Sequence, residues 1–205
     1  MNMDQIAVLL IAAGASTRLG QRKQLLQVDG MTLLEKMARV ALEAGNSNVT
    51  VVLGAFADSV RPSIEHLPVQ ILQNENWEKG MGTTIASGAR FLSENHPETK
   101  AVIVLLCDQP FVHVDLLKKL VEKWQSERKL IVASRYGETF GAPAIFDEKL
   151  LPELAGLDGE KGAKSLMMKH LSDLAFIDFP LGTVDLDTMD DVERFARFNH
   201  SEGAK

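Results

Sequence analysis

One cysteine in 205 residues excludes an internal disulfide framework. A lone thiol suits a reducing compartment, so a cytoplasmic location is expected. Positive charge is short as well. Lys and Arg number 22 against 28 Asp and Glu, a net charge of −6, whereas a nucleic-acid binder is usually basic. No apolar run approaches the length of a transmembrane span. The first residues, Met1-Asn2-Met3-Asp4-Gln5, carry an acid and no basic segment, unlike a secretory signal. None of the five histidines stands at metal-ligand spacing from another His or from the cysteine. Internal repeats and low-complexity segments are absent too. The expectation is therefore a protein with neither nucleic-acid nor membrane partners. Its length suits one sizeable core, over residues 1–198, with 199–205 as a frayed tail.

What is present gathers first between Ile6 and Leu26. Ile6 to Ala12 is an apolar run that reads as a buried strand. It breaks into the small residues Ala12, Ala13, Gly14, Ala15 and Ser16, followed by Arg18 and Lys23. Small residues let a backbone approach a ligand closely, and successive backbone N–H groups in such a loop make an anion site. Arg18 adds a planar fork suited to phosphate and Lys23 a compact charge. These residues predict a triphosphate-binding loop at the carboxyl end of the first strand. Walker A is excluded, because Gly20 is followed by Gln21-Arg22-Lys23. The dinucleotide fingerprint is excluded too, because Gly14 and Gly20 are too far apart. An ordinary strand-to-helix loop with two solvated cations is the other reading of the same residues.

Thr32-Leu33-Leu34-Glu35 is a capping box, and Leu33, Leu34, Met37, Val40, Ala41 and Ala44 recur at helical spacing. Gly45 and Asn46 supply the stop. A strand over Val49–Leu53, a helix near Asp58–His66 and a strand over Val69–Leu72 follow. This alternation predicts an α/β fold with a doubly wound, mainly parallel sheet. After a loop over 74–82, a helix is expected from Thr83 to Leu92. Ala101–Leu106 reads as the central strand, ending in Cys107-Asp108-Gln109-Pro110. Open α/β sheets bind ligands at such strand ends, so Asp108 is a natural ligand for a hard cation such as Mg²⁺. Its alternative is to cap the helix over 113–127. Cys107 reads as an apolar filler. Strands are expected over Leu130–Ser134, Ala144–Phe146 and Leu174–Phe179. A loop is expected over 154–164 and a helix over Ser165–Leu171. Asp185 and Asp187 fall on one face of a predicted strand, and Thr188 to Asp191 caps a last helix reaching about Phe198.

Ala-Ala-Gly-x-Ser-x-Arg-Leu-Gly-x-x-Lys-Gln-Leu-Leu resembles the signature loop of the molybdenum cofactor nucleotidyltransferases. It is closer to the cytidylyltransferase branch than to the guanylyltransferase branch. Leu-Cys-Asp-Gln-Pro matches the same family, in which the aspartate binds the Mg²⁺ that accompanies the nucleoside triphosphate. The resemblance implies a single-domain, Rossmann-like nucleotidyltransferase fold. It gives the triphosphate to Arg18 and Lys23 and the metal to Asp108 with Asp185 or Asp187. It places Gly80, Met81 and Thr83 near the base, and Gly141, Pro143 and Lys164 on the acceptor side. The chain departs from the family at Gly82, where a small hydroxylated residue is usual. Glu160 and Lys164 replace Asp and Arg in Asp-x-Gly-Ala-Arg, and Met189 replaces a proline near the last helix. The implied reaction transfers CMP from CTP to the terminal phosphate of molybdenum-molybdopterin and releases pyrophosphate, with Mg²⁺ as cofactor. The cytidylyl preference rests on Ala12-Ala13-Gly14 in place of Ala-Gly-Gly. Two alternatives stand beside it. One is guanylyl or other nucleotidyl transfer to a sugar phosphate or another small phosphate. The other is a non-catalytic molybdenum cofactor carrier or maturation chaperone, partnered with a molybdenum hydroxylase.

Overall fold

The computed structural model of the chain describes residues 5–16, 19–45, 48–186, 190–191 and 194–195. Arg18, Asp187, the capping residues Thr188 and Met189, and the tail 199–205 lie outside the described residues.

β1 (Ile6–Ala12) is buried along its whole length, as a parallel strand covered on both faces should be. Its side chains alternate between two cores. Ile6, Val8, Leu10 and Ala12 join one, with Leu34 and Met37 of α1 (Leu33–Glu43) and Leu117 of α4 (Val114–Glu127). Ala7, Leu9 and Ile11 join the other, with Ile85 and Ala89 of α3 (Met81–Asn95) and Leu154 of α5 (Leu151–Ala155). Between β1 and α1 lies a small hairpin, β2 (Gln27–Val28) and β3 (Met31–Thr32). Its turn is Asp29-Gly30, both at positive φ, the conformation hairpin turns require. Thr32 caps α1, its Oγ1 accepting from the Glu35 N–H at 3.1 Å, while the Glu35 carboxylate accepts from Arg39 one turn on.

The main sheet has seven strands. Adding β4 (Asn48–Leu53), β5 (Gln70–Gln73), β6 (Ala101–Leu106), β7 (Ile131–Tyr136), β8 (Thr139–Asp147) and β9 (Leu174–Asp178), the order is β5-β4-β1-β6-β8-β7-β9. The pairs from β5 to β6 are parallel, β8 is antiparallel to both neighbours, and β9 is parallel to β7. The sheet is thus mainly parallel with helices on both faces, as expected. From β1 the chain runs outward to β4 and β5, then returns to place β6 on the other side of β1. Strand order therefore reverses between β1 and β6, the position where such sheets bind ligands.

Several boundaries differ from expectation. The helix expected over 58–66 is only α2 (Ala57–Val60), followed by a 3-10 turn over Arg61–Ser63. Pro62 lacks the N–H that a continuing helix needs. α3 starts at Met81, ahead of Thr83, because Gly80 at φ 111° ends the preceding turn. β8 runs through Gly141 and Pro143, across a cis Ala142–Pro143 bond, and its pairing with β7 shifts register beside Ala133 and Ser134. Such an irregularity lets proline sit within a strand. The expected loop over 154–164 begins inside α5 and ends where α6 (Lys164–Lys169) starts. Residues 184–186 form no strand. The Val184 N–H is spent on Leu181 O and the Leu186 N–H on Asp108 O, so Asp185 does not lie on the strand expected for it; Asp187, expected on the same face, lies outside the described residues. Among the described residues, no helix is long and apolar enough to cross a membrane.

Candidate active site

The loop after β1 is shaped by a buried side chain. The Gln24 amide is 1% exposed, and its Nε2 donates to the carbonyls of Ala12 at 3.0 Å and Gly14 at 2.8 Å. This clamp folds the loop back over the end of β1. The Ala13 carbonyl accepts from the Ala55 N–H at 3.0 Å, tying the loop to the end of β4. Ser16 takes φ 54°, and its Oγ accepts from the Lys23 N–H at 3.2 Å. Lys23 opens a 3-10 turn, Lys23–Leu25. Its Nζ donates to Asp108 Oδ2 at 2.5 Å, with both side chains largely buried. Two residues 85 apart in sequence thus meet at the switch point between β1 and β6. A charge pair this sheltered is screened less by salt than a surface pair.

Asp108 does not cap the following helix. That place belongs to His113, whose Nδ1 accepts from the Leu116 N–H at 3.3 Å. The Asp108 carboxylate is therefore left to the cavity. The backbone bond from Leu186 to Asp108 brings Asp185 close. Tyr136 reports the result: burial raises its phenol, and the Asp185 and Asp108 carboxylates raise it further. Lys23 and Asp108 share the cavity, while Asp185 is exposed and near enough for its charge to act on the Tyr136 phenol. Among the described residues, no group of three or more His, Cys, Asp or Glu is placed to hold a metal ion. Two carboxylates suit a hard cation that takes its remaining oxygens from phosphates and water. The Cys107 thiol is pushed up by burial and by Asp108, against the pull of Lys23. It stays a neutral, buried filler, not a nucleophile.

Lys23, Gln24, Ala12, Ala13, Gly14 and Asp108 line a small cavity of about 70 Å³. Met81, 42% exposed, lines this cavity and also a second one of about 180 Å³. The second cavity carries Tyr136, Phe140, Gly141 and Lys164. Lys164 Nζ donates to Thr139 Oγ1 at 2.5 Å and lies 5.5 Å over the Phe140 ring. Pro143 is buried in β8 behind it, and its carbonyl accepts from Ser134 Oγ at 2.7 Å. Gln109 Nε2 donates to the Ala142 carbonyl at 3.1 Å, fixing β8 against the end of β6.

The departure at Gly82 has a packing cause. A Cβ there would lie 2.6 Å from the Asp158 carbonyl oxygen, and the Gly82 N–H donates to Gly159 O at 2.8 Å. α3 is thereby pinned to the loop after α5. Thr83 is buried, and its hydroxyl lies within bonding distance of the Gly80 and Asn76 carbonyls and accepts from Asn74 Nδ2. That hydroxyl supports the loop from inside. Sequence reasoning gave no role to Gln24, Gln109, Asn74 or Trp77. The signal for Gln24 was its place beside Lys23 in the signature string. Trp77 packs where a Gly54 side chain would be, since a Cβ on Gly54 would lie 2.5 Å from Trp77 Cβ and 2.7 Å from Ala13 Cβ.

Residues 8–174 match the MobA-like NTP transferase domain family. A nicotine blue oxidoreductase from Paenarthrobacter nicotinovorans is 31% identical over 198 residues, covering 91% of this chain and 94% of that protein. A molybdenum cofactor guanylyltransferase from Rhizobium rhizogenes is 22% identical, covering 86% and 80% respectively. Among solved structures, Rv0371c from Mycobacterium tuberculosis superposes with a TM-score of 0.79 at 28% identity, over 95% of this chain and 98% of that one. A manganese complex of the same protein gives a TM-score of 0.74 at 28% identity, over 93% and 97%.

Proposed function

This chain belongs to the MobA-like NTP transferase domain family. From that premise we propose that it transfers CMP from CTP to the terminal phosphate of molybdenum-molybdopterin, releasing pyrophosphate. The observation that carries the reading is the Lys23–Asp108 pair at the switch point, under the clamped loop.

An acceptor phosphate oxygen attacks the α-phosphorus, the bond to the bridging oxygen breaks, and pyrophosphate leaves with the electron pair. The acceptor phosphate is already ionised at neutral pH, so the step needs positioning and charge neutralisation more than a general base. Backbone N–H groups from Ala12 to Ser16, with Lys23 and Arg18, hold the triphosphate. Asp108 and Asp185 offer oxygens to a divalent ion, and Asp187 is the further candidate. When bound, Mg²⁺ neutralises charge on the phosphate oxygens. The manganese on the related structure supports a divalent ion in this fold. Met81 closes the base side, with Gly80 and Thr83 shaping it from behind. The cavity at Gly141 and Lys164, backed by Pro143, takes the acceptor. The preference for CTP over GTP rests on the sequence, on Ala12-Ala13-Gly14 in place of Ala-Gly-Gly. The relative named for molybdenum cofactor guanylylation supports a molybdopterin acceptor.

The relative named as an oxidoreductase favours a second reading, in which the groove holds a nucleotide without transferring it. The cofactor carrier, with its molybdenum hydroxylase partner, belongs to this class.

Pyrophosphate release with Mg²⁺ and molybdenum-loaded molybdopterin, testing CTP, GTP, ATP and UTP in turn, separates these readings. Release with CTP alone is expected, and Asp108→Ala should lower it by at least about 100-fold. Release with GTP alone would overturn the reading of Ala13. Nucleotide binding with no release from any triphosphate would favour the second reading.

A further inference from the structure

β7 ends in Tyr136, where the chain turns back into β8. Two glycines make room for this side chain. An added Cβ on Gly141 would overlap the Tyr136 hydroxyl. An added Cβ on Gly182 would lie 2.7 Å from Tyr136 Cδ1. Backbone thus packs close to the ring at its tip and at its edge. A swing toward either meets main-chain atoms that cannot yield, so the hydroxyl is held in place.

The fold itself makes no use of that hydroxyl. A partly buried tyrosine O–H usually finds a hydrogen-bond partner, yet Tyr136 Oη has none among the described residues. Its surroundings say what it could bond. Tyr136 lines the cavity of about 180 Å³ together with Gly141, Lys161 and Lys164. That cavity and the smaller one at Lys23 and Asp108 have Met81 and Leu106 in common. The Asp108 and Asp185 charges both act on the phenol, so the ring stands within reach of the carboxylates offered to the ion. Two ammonium groups and a fixed O–H donor on one cavity suit a phosphate, whose oxygens only accept. Ammonium groups attract it from many directions, whereas a fixed hydroxyl sets one direction.

We propose that the Tyr136 hydroxyl donates a hydrogen bond to a non-attacking oxygen of the acceptor phosphate and so orients that phosphate for transfer. The inference rests on the nucleotidyltransferase reading above and adds an acceptor-binding residue to it. The phenol keeps its proton throughout, and no covalent bond is made to it.

Steady-state pyrophosphate release with Mg²⁺ and molybdenum-loaded molybdopterin tests this on the parent chain and on Tyr136→Phe. The triphosphate is whichever the parent turns over, and its Kd is measured alongside by calorimetric titration. Tyr136→Phe removes one oxygen and keeps the ring between the two glycines, so the unfolding midpoint should stay within about 1 °C. The kcat/KM for the acceptor should fall by roughly 10- to 100-fold, with the triphosphate Kd unchanged within about twofold. An unchanged kcat/KM for the acceptor overturns the contact. An equal loss in triphosphate affinity also overturns it, because the hydroxyl would then serve the nucleotide. A fall accompanied by a lowered unfolding midpoint overturns it as well, since the hydroxyl would then act on the fold. Absence of release by the parent from CTP, GTP, ATP or UTP overturns the nucleotidyltransferase reading, and the contact with it.

Discussion

Tyr136 is the single tyrosine of the chain, so its ionisation reads one place in the molecule. Burial raises it above the ordinary value of 10.0, and the Asp185 and Asp108 carboxylates add to the rise. A raised folded value means that its contribution to stability is complete below about pH 10 and is lost as pH climbs through the folded value. Ultraviolet titration of the phenolate should therefore give a midpoint above that of the unfolded chain. Asp185→Asn and Asp108→Asn should each move the midpoint back toward 10, because each removes a negative charge facing the phenol. A midpoint unmoved by both variants would mean that the two carboxylates do not converge on the ring. The same convergence underlies our proposal that Asp108 and Asp185 offer oxygens to a divalent ion. The titration thus checks the site's geometry without needing a substrate.

At the scale of elements, the junction of α3 with the loop after α5 carries the sharpest packing constraint. Gly82→Ala places a Cβ 2.6 Å from the Asp158 oxygen, a backbone atom that cannot swing aside. The expected cost is about 1–3 kcal/mol, a drop of a few degrees in unfolding temperature for a chain of this size. Gly156→Ala is the control. Its Cβ meets nothing closer than 3.5 Å and its φ is −93°, so thermal unfolding should barely change. Equal midpoints for the two variants would show that the loop yields freely. This junction also marks where sequence reasoning reached its end. β1, α1, β4 and β6 were legible because long apolar runs and a capping box are local signals. The places of the loop after β1 and of Asp108 were legible because an apolar run marks where β1 and β6 end. Gly82 read as a departure, since its reason lies in the backbone of Asp158 and Gly159, far away in sequence. Pro62 is visible in the sequence, and its missing N–H cuts short the helix expected near 58–66. The Gln24 clamp was hidden for a different reason. Nothing in a local pattern tells a buried glutamine from a solvated one, and only the folded loop shows which carbonyls it meets.

At the scale of the whole molecule, the candidate site is inseparable from global stability. It stands on β1 and β6, whose side chains feed the cores on both faces of the sheet. Unfolding either strand dissolves the loop clamp and the Lys23–Asp108 pair together. A ligand that binds only the folded chain should therefore shift the main unfolding transition, not a minor one. At a concentration 100 times its Kd such a ligand adds about 2.7 kcal/mol, which for a chain of this length raises the unfolding midpoint by about 5–10 °C. CTP with Mg²⁺ should produce that rise in a single calorimetric transition. Asp108→Ala should remove most of it, because the carboxylate that faces both Lys23 and the ion is gone. The shape of the transition matters as much as its midpoint. A rise confined to an early, partial transition would mean that the nucleotide is held by a loop that opens on its own. A rise of the full transition ties recognition to the β1–β6 switch point. No rise at saturating CTP, with inorganic tripolyphosphate still stabilising the chain, would mean that the loop grips phosphates while the base finds no purchase.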